Sequence, residues 1–267
     1  MIPEQTVPTQ LETPTNKLSV EALSVGAPGD QRPIVHDATF AIEAGQAVGV
    51  IGPSGSGKSS LVRALVGVWQ PLRGKVRLDG AALDQWSPEI LGRHIGYLPQ
   101  DVELFAGTIA QNISRFEDNP SPDDIIAAAR EARVHEMIIG MKDGYDTQIG
   151  DQGSVLSAGQ AQRIALARAL YGNPFLVVLD EPNSNLDSEG DAALSKAVLS
   201  VRARGGVVVI VAHRPIGIES ADLVMVLKDG RVQAFGPKDS VLGQVLQRPA
   251  VAGPAIKIVS DKGGSQP

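Results

Sequence analysis

The sequence predicts an α/β fold with a mainly parallel sheet at its core, an antiparallel β subdomain and a helical subdomain. Short runs of valine, isoleucine and leucine alternate with helical segments in the last third of the chain, as in sheets covered on both faces. A glycine-rich loop stands between one such run and a helix. The length of 267 residues, 43% of them hydrophobic, fits one large domain or two close subdomains.

Composition narrows the classes of function. The formal net charge of −6 does not favour nucleic acid as the main partner. The absence of cysteine excludes disulfides and thiolate metal sites and fits a reducing compartment. No apolar run reaches the roughly 18–20 residues that a membrane helix needs, and the polar start does not look like a signal peptide. We therefore expect any membrane role to come through a partner.

The first part of the chain is predicted to be a linker followed by strands. Residues 1–16 are rich in proline and threonine, and we expect them to be disordered, with order beginning near Lys17. The strands that follow are short apolar or alternating runs. They are predicted at residues 18–23, 38–42, 47–51 and 75–78, with one helix at 59–69.

The middle is predicted to be helical, because four polar residues can each cap a helix start. These residues are Ser87, Thr108, Ser121 and Ser157. The helices from Thr108, Ser121 and Ser157 are expected to reach residues 113, about 133 and 170, and residues 94–98 form a short strand. Residues 101–170 would make up the helical subdomain.

The last third predicts two buried strands, one helix and a hairpin. The strands are predicted at residues 175–179 and 206–212, the helix at 188–204, and the hairpin at 221–227 and 231–234. Proline, glycine and serine return after residue 248, so residues 249–267 are expected to be a flexible tail. The folded domain is accordingly predicted at residues 17–248.

The glycine-rich loop carries the strongest functional signal. It fits the phosphate-binding pattern of a glycine, four free positions and then Gly-Lys-Ser, between a strand and a helix. Its nucleotide-binding residues are Gly52, Pro53, Ser54, Gly55, Ser56, Gly57, Lys58 and Ser59, with Ser60 next in the helix. Backbone N–H groups would hold phosphate oxygens, Lys58 would contact the β and γ phosphates, and Ser59 would hold Mg²⁺.

A second signal lies at the tip of a buried strand. Four apolar residues lead into Asp180 and Glu181, and ligands bind at such strand ends in open α/β sheets. Asp180 is predicted to hold Mg²⁺. Glu181 is the candidate base that orients and deprotonates the attacking water. Alone, the pair could be an acidic turn; the loop at Lys58 favours the catalytic interpretation.

The segment Leu-Ser-Ala-Gly-Gln, residues 156–160, makes the resemblance specific. It resembles the signature of ATP-binding-cassette (ABC) ATPases, normally Leu-Ser-Gly-Gly-Gln, with Ala158 in place of the first glycine. The resemblance covers residues 18–246 and implies a P-loop NTPase fold of ABC type that binds ATP and Mg²⁺. It also implies that Ser157, Gly159 and Gln160 bind the ATP held by a second copy of the domain. An ordinary capped helix remains the alternative for this segment alone.

Other positions take roles from the same resemblance. Gln100 matches the Q-loop glutamine, which senses Mg²⁺ and the lytic water, and His213 matches the switch histidine at the γ-phosphate. Residues 184–187 look like the loop that crosses the dimer interface. The family usually has an aromatic residue near positions 25–27 that stacks on adenine, and this chain has none there. Trp69 and Trp86 are expected to be packing residues.

Several longer sequence segments resemble those of ABC exporters, and most of all those of type I protein-secretion exporters of the alkaline protease and lipase branch. The segments are 66–69, 76–80, 91–105 and 181–187, together with an exporter-like loop at 147–153 and a surface at 101–113 that receives the membrane domain. The resemblance implies an ATP-dependent homodimer at the cytoplasmic face of the inner membrane, with a transmembrane domain outside this chain, a periplasmic adaptor and an outer-membrane channel. We expect a dissected or separate domain whose first residues are a linker remnant.

Alternatives stay open from the sequence. They are a soluble ABC ATPase without a transporter, an ABC exporter of lipids or small molecules, a catalytically silent interaction module, and another P-loop enzyme. Long insertions and a second cassette, which soluble ABC ATPases usually carry, are absent, and so is a guanine-reading Asn-Lys-x-Asp. The cargo, the resting oligomeric state and the group that holds adenine are not determined by the sequence.

Overall fold

The computed structural model describes residues 11–150, 155–183, 188–212 and 218–247. Within them the chain forms two sheets. The strands are β1 (Lys17–Gly26), β2 (Pro33–Glu43), β3 (Ala47–Ile51), β4 (Arg73–Leu78), β5 (Ala81–Ala82), β6 (Ile95–Leu98), β7 (Leu176–Asp180), β8 (Val207–Val211), β9 (Leu223–Lys228) and β10 (Arg231–Pro237). The helices are α1 (Lys58–Leu65), α2 (Pro88–His94), α3 (Ile109–Ile113), α4 (Pro122–Glu131), α5 (His135–Ile139), α6 (Ala158–Leu170), α7 (Ser188–Ala203) and α8 (Lys238–Gln247).

The larger sheet has the strand order β10-β9-β3-β8-β7-β6. Its strands β3, β6, β7, β8 and β9 run parallel, and β10 pairs antiparallel with β9 at the edge. Every residue of β7 and β8 is buried. The unbroken apolar runs in the sequence predicted this, because they are typical of strands covered by helices on both faces. The predicted parallel core is therefore confirmed, and the carboxyl ends of β3, β7 and β6 lie along one edge.

The smaller sheet is antiparallel, in the order β2-β1-β4-β5. Alternate residues of β1, such as Leu18 and Val20, are fully buried against α1 and the parallel sheet, while their neighbours face outward. The β9–β10 hairpin joins the two sheets, because Gly230 O accepts a hydrogen bond from His36 N of β2 at 2.8 Å. The predicted antiparallel subdomain is confirmed.

The helical subdomain packs α3, α4, α5 and the first turns of α6 around one apolar cluster. Three predicted caps begin its helices as expected. The side-chain oxygens of Thr108, Ser121 and Ser157 accept hydrogen bonds from the backbone three residues on. Thr108 and Ser157 form capping boxes, in which a glutamine at the third helical position bonds back to the cap.

Several details differ from the sequence-based expectation, and one is the start of β2 at Pro33, five residues before the predicted 38. Helix α1 ends at Leu65, four residues before the predicted 69, because Gly67 has a φ of 78° that ends the helical path. Helices α5 and α8 were not predicted. The packed part of the chain also begins before Lys17, since the Asp79 carboxylate accepts hydrogen bonds from the backbone N–H groups of Thr15 at 2.7 Å and Asn16 at 3.0 Å.

In the part of the chain that the structure describes, no helix is both long and apolar enough to cross a membrane.

Candidate active site

The phosphate-binding loop follows β3 and leads directly into α1. Gly57, at φ 96°, is the residue before the helix, so the backbone turns sharply there, as glycine allows. A side chain at Gly52 would place its Cβ 2.0 Å from the carbonyl oxygen of Leu227 in β9. Ser56 O accepts a hydrogen bond from Gly230 N at 3.2 Å. The β9–β10 hairpin thus supports the loop from behind, and only glycine fits at position 52.

Lys58 is the first residue of α1 and is 5% exposed. Its Nζ donates hydrogen bonds to the carbonyl oxygens of Gly52 at 2.9 Å and Pro53 at 3.0 Å, which holds the ammonium inside the curve of the loop. Burial lowers the pKa of Lys58, and the negative charges of Glu181 and Asp180 oppose that effect. The lysine therefore faces both carboxylates at the tip of β7.

Asp180 ends β7 and is 1% exposed. The Ser59 hydroxyl donates a hydrogen bond to its carboxylate, and none of the described residues bonds the buried Oδ1. Burial raises the pKa of Asp180, and the charge of Glu181 adds to this effect, while the Ser59 bond and the cations Arg63 and Lys58 oppose it. A buried carboxylate oxygen without a partner, next to a hydroxyl, is a donor set that suits Mg²⁺.

Glu181 meets Gln100 at the same edge. Gln100 Nε2 donates to Glu181 Oε2 at 3.1 Å, across the ends of the adjacent strands β6 and β7. Glu181 has a φ of 53°, in the left-handed region, and its N–H bonds to Val211 O of β8 at 3.1 Å. This backbone turns the carboxylate out of the strand direction and towards the glutamine. The structure thus brings Lys58, Ser59, Gln100, Asp180 and Glu181 together.

The Ser157 helix start is separate from that cluster. Ser157 is exposed, and its hydrogen bonds in the described structure stay within its own helix. Ser157 Oγ accepts from Gln160 N at 3.3 Å, and Gln160 Oε1 accepts from Ser157 N at 2.9 Å. Gln160 therefore shapes the cap, which the sequence-based interpretation as a nucleotide ligand did not foresee. The surface position of Ser157 leaves it open to a second molecule.

Several predicted positions are outside the described residues. They are His213, the loop at 184–187 and part of the exporter-like loop at 151–153. The predicted roles of these segments stay predictions. Near positions 25–27, Gly26 is buried, and a Cβ there would meet the carbonyl oxygen of Arg32 at 2.7 Å. A ring at position 26 would therefore not fit.

The two tryptophans pack where the sequence suggested. Trp69 lies under the guanidinium of Arg63, 5.1 Å from the ring centre, and Trp86 is buried with its ring edge-on to His94. The sequence-based search missed Gln162, a buried polar residue of α6 whose side chain bonds to Pro182 O. Its polar character within a run of buried apolar positions is the signal that could have found it.

Comparisons with known proteins agree with this geometry. The family model for "ABC transporter" matches residues 35–184. The type I secretion system ATP-binding protein PrsD of Rhizobium meliloti (strain 1021) is 60% identical over 97% of this chain and 45% of its own length. An ATP-dependent lipid A-core flippase of Pseudomonas fluorescens (strain Pf0-1) is 38% identical over 86% of this chain and 38% of its own length.

A solved structure of a bacterial Atm1-family ABC exporter with ATP bound superposes with a TM-score of 0.80 at 30% identity, covering 92% of this chain and 45% of the other. The chain spans less than half the length of these relatives. The ABC transporter family model matches more than half of the 267 residues, and the fold and the phosphate loop agree with that match. The chain belongs to the ABC transporter family, as an ATP-binding domain of its ATPases.

Proposed function

We propose that this chain hydrolyses ATP to drive a type I secretion exporter that moves a protein across the inner membrane. The observation that carries the enzymatic part is the meeting of Lys58, Asp180, Glu181 and Gln100 at one edge of the parallel sheet. The support for type I secretion is the 60% identity to a protein of that name, against 38% for a lipid A-core flippase. Export of lipids is therefore the second candidate, with weaker support.

Each residue of the site has a separate proposed role in hydrolysis. The loop N–H groups and Lys58 hold the β and γ phosphates. Ser59 and Asp180 would hold Mg²⁺, which supplies positive charge at the triphosphate that two carboxylates would otherwise repel. Glu181 accepts the proton of the attacking water, and the amide of Gln100 fixes the direction of that carboxylate. His213 is proposed to contact the γ-phosphate.

The exposed cap of Ser157 supports a head-to-tail dimer. An N-terminal helix end with a free face is suited to bind phosphate, and Ser157 and Gly159 make no hydrogen bond to the phosphate loop of their own chain in the described structure. We propose that each of two ATP molecules lies between the loop of one protomer and Ser157 of the other, in a twofold arrangement. Hydrolysis then reopens the dimer.

A groove beside the helical subdomain is the proposed seat of the membrane domain. Phe105 is 59% exposed, but its backbone is held by the side chain of Asn112. Asn112 Oδ1 accepts a hydrogen bond from Phe105 N at 2.9 Å, and Asn112 Nδ2 donates one to Phe105 O at 2.9 Å. Its ring packs edge-on to Phe116, which is also exposed. Exposed aromatic rings held in a fixed place are typical of docking surfaces. Attachment here would place the chain at the cytoplasmic face of the membrane.

The experiment that tests the proposed activity is phosphate release by Glu181→Gln. The variant should bind ATP and Mg²⁺ like the unmodified chain but hydrolyse ATP at least about 10²-fold more slowly, because the base is lost. It should also accumulate an ATP-bound dimer, detected by size-exclusion chromatography. Lys58→Ala is the contrasting variant, which should lose nucleotide binding in a calorimetric titration. Unchanged turnover in Glu181→Gln would remove Glu181 from its role.

A further inference from the structure

Gln162 joins the Ser157 helix to the catalytic turn. It lies in α6, five residues after Ser157, and is 3% exposed. Its Nε2 donates a hydrogen bond to the carbonyl oxygen of Pro182. Pro182 directly follows Glu181, so a single buried amide connects the helix that presents Ser157 with the backbone that carries Glu181.

The turn that Gln162 holds is one that needs support. Glu181 has its backbone in the left-handed region, which is unfavourable for a side chain of this kind. The peptide before it is fixed by the bond from Glu181 N to Val211 O. The second peptide after it, which contains the carbonyl of Pro182, is held by Gln162. A shift of α6 would therefore change the direction of the Glu181 carboxylate.

Packing alone does not account for a glutamine at this position. None of the described residues bonds its buried Oε1, and a buried polar atom without a partner destabilises a fold. Ile164 and Ala165, two and three residues further along the helix, are fully buried and apolar. A methionine of the same shape would fill the space without that cost. The amide is retained, we infer, for the bond to Pro182.

We propose that Gln162 is a positioning residue that couples the two ATP sites of the dimer, an inference that rests on the proposed function. In that dimer, Ser157 of one protomer engages the ATP of its partner. Helix α6 of the same protomer, through Gln162, sets the direction of Glu181 in the protomer's own site. Each Glu181 is then fully positioned only when the other site is loaded. The coupling runs through one helix and one hydrogen bond.

The test uses two copies of the chain joined by a flexible linker, which keeps them together whether zero, one or two ATP molecules are bound. Lys58→Ala in the first copy empties that copy's site but leaves its Ser157 available to the second. Turnover per loaded site is then compared between this tandem and the unmodified one. We expect about 5-fold or more slower turnover in the singly loaded tandem, within the usual range of coupling between sites.

Gln162→Met is then placed in one copy at a time. In the second copy it should make that copy's turnover equal and low in the singly loaded tandem and in a doubly loaded tandem whose first copy carries Glu181→Gln, which binds ATP but hardly hydrolyses it, with ATP affinity unchanged. In the first copy it should leave the turnover of the second copy's site unaltered. Tyr171→Phe is the matched control, because it removes one hydrogen bond, to Glu117, at the opposite end of the same helix. It should preserve the difference between the two tandems.

Each outcome has a separate meaning. An unmodified tandem that binds ATP without turnover contradicts the proposed function itself. Turnover that does not depend on the load of the other site, in the unmodified protein, overturns the coupling. A load dependence that survives Gln162→Met, or is lost equally from either copy, overturns the role of Gln162. Gln162→Leu repeats the experiment with a second apolar side chain in case the methionine variant fails to fold.

Discussion

At the scale of single residues, Asp180 shows that the site is built at some cost to the fold. Its carboxylate is buried, one oxygen has no hydrogen bond from the described residues, and burial raises its pKa. A buried charge without full pairing is unfavourable unless a cation completes it. The buried carboxylate therefore destabilises the nucleotide-free chain, as expected if its pairing is completed by the proposed Mg²⁺ and ATP.

Asp180→Asn should raise the stability of the ATP-free chain while it abolishes Mg²⁺-dependent hydrolysis. Because the folded pKa is raised, ionisation of Asp180 favours the unfolded chain, and this loss of stability develops as pH rises from the ordinary aspartate pKa of about 3.9 to the raised pKa of the folded chain. The gain in Asp180→Asn should grow over that window and then level off, at about 1 kcal/mol or roughly 2–4 °C in Tm. Thermal unfolding at several pH values measures it.

The control for this prediction is Asp84→Asn, whose carboxylate lies on the surface beside Lys75. It should leave hydrolysis unchanged and should not stabilise the chain at neutral pH, since the lysine lowers the pKa of Asp84 rather than raising it. If Asp180→Asn destabilised the empty chain at pH 7, the carboxylate would be a stabilising group, and the assignment as a strained metal ligand would be wrong.

At the scale of helices and strands, the sequence predicted the starts of helices better than their ends. Thr108, Ser121 and Ser157 carry their own hydrogen-bond acceptors, so a cap can be recognised from a few neighbouring residues. The end of α1 depends on the backbone at Gly67, and α5 is only five residues long, too short for a periodic pattern. Local chemistry was readable from the sequence, and boundaries set by packing were not.

The same distinction holds in the site. The positions of Lys58, Asp180 and Glu181 followed from the strand and loop pattern, because carboxyl ends of parallel strands meet at one edge. The link from Gln162 to Pro182 joins residues 20 positions apart and depends on how α6 crosses the sheet. No short motif contains that information, so it needed the structure.

Arg115 connects the helical subdomain to the sheet through several hydrogen bonds. It follows α3, and its guanidinium donates hydrogen bonds to five backbone carbonyl oxygens on three other parts of the chain. These belong to Gly92, Ile95, Arg168, Ala169 and Tyr171. Burial lowers the pKa of Arg115 to about 10, with a further contribution from the charge of Arg168. One side chain thus fixes α2, β6 and the end of α6 relative to α3.

Arg115→Met should destabilise the chain by about 2–4 kcal/mol, because five carbonyl groups, four of them in partly buried bonds, lose their donor at once. Urea unfolding of the two proteins measures this difference. The matched control is Arg93→Met, an arginine that is 75% exposed and 3.8 Å from Glu117, where a change of at most about 0.5 kcal/mol is expected. Equal effects from both substitutions would mean that the Arg115 network is not a structural tie.

At the scale of the whole molecule, the two proposed functional surfaces lie on one folded framework. The nucleotide edge is at the carboxyl ends of β3, β6 and β7, and the Phe105 groove lies beside the helical subdomain. Gln100 stands in the short connection between them, bonded to Glu181 on one side and followed closely by Phe105 on the other. A change at the γ-phosphate therefore has a short path to the proposed seat of the membrane domain.

Site-specific labelling tests that seat in the proposed exporter assembly. The 267 residues include no cysteine, so Phe105→Cys places a single thiol in the groove. A maleimide should label it readily in the isolated chain and far more slowly in the assembled exporter, as mass spectrometry of the labelled peptide would show. Leu199→Cys is the control, 53% exposed on α7, and should react in both. Equal labelling at position 105 in both states would place the membrane domain elsewhere.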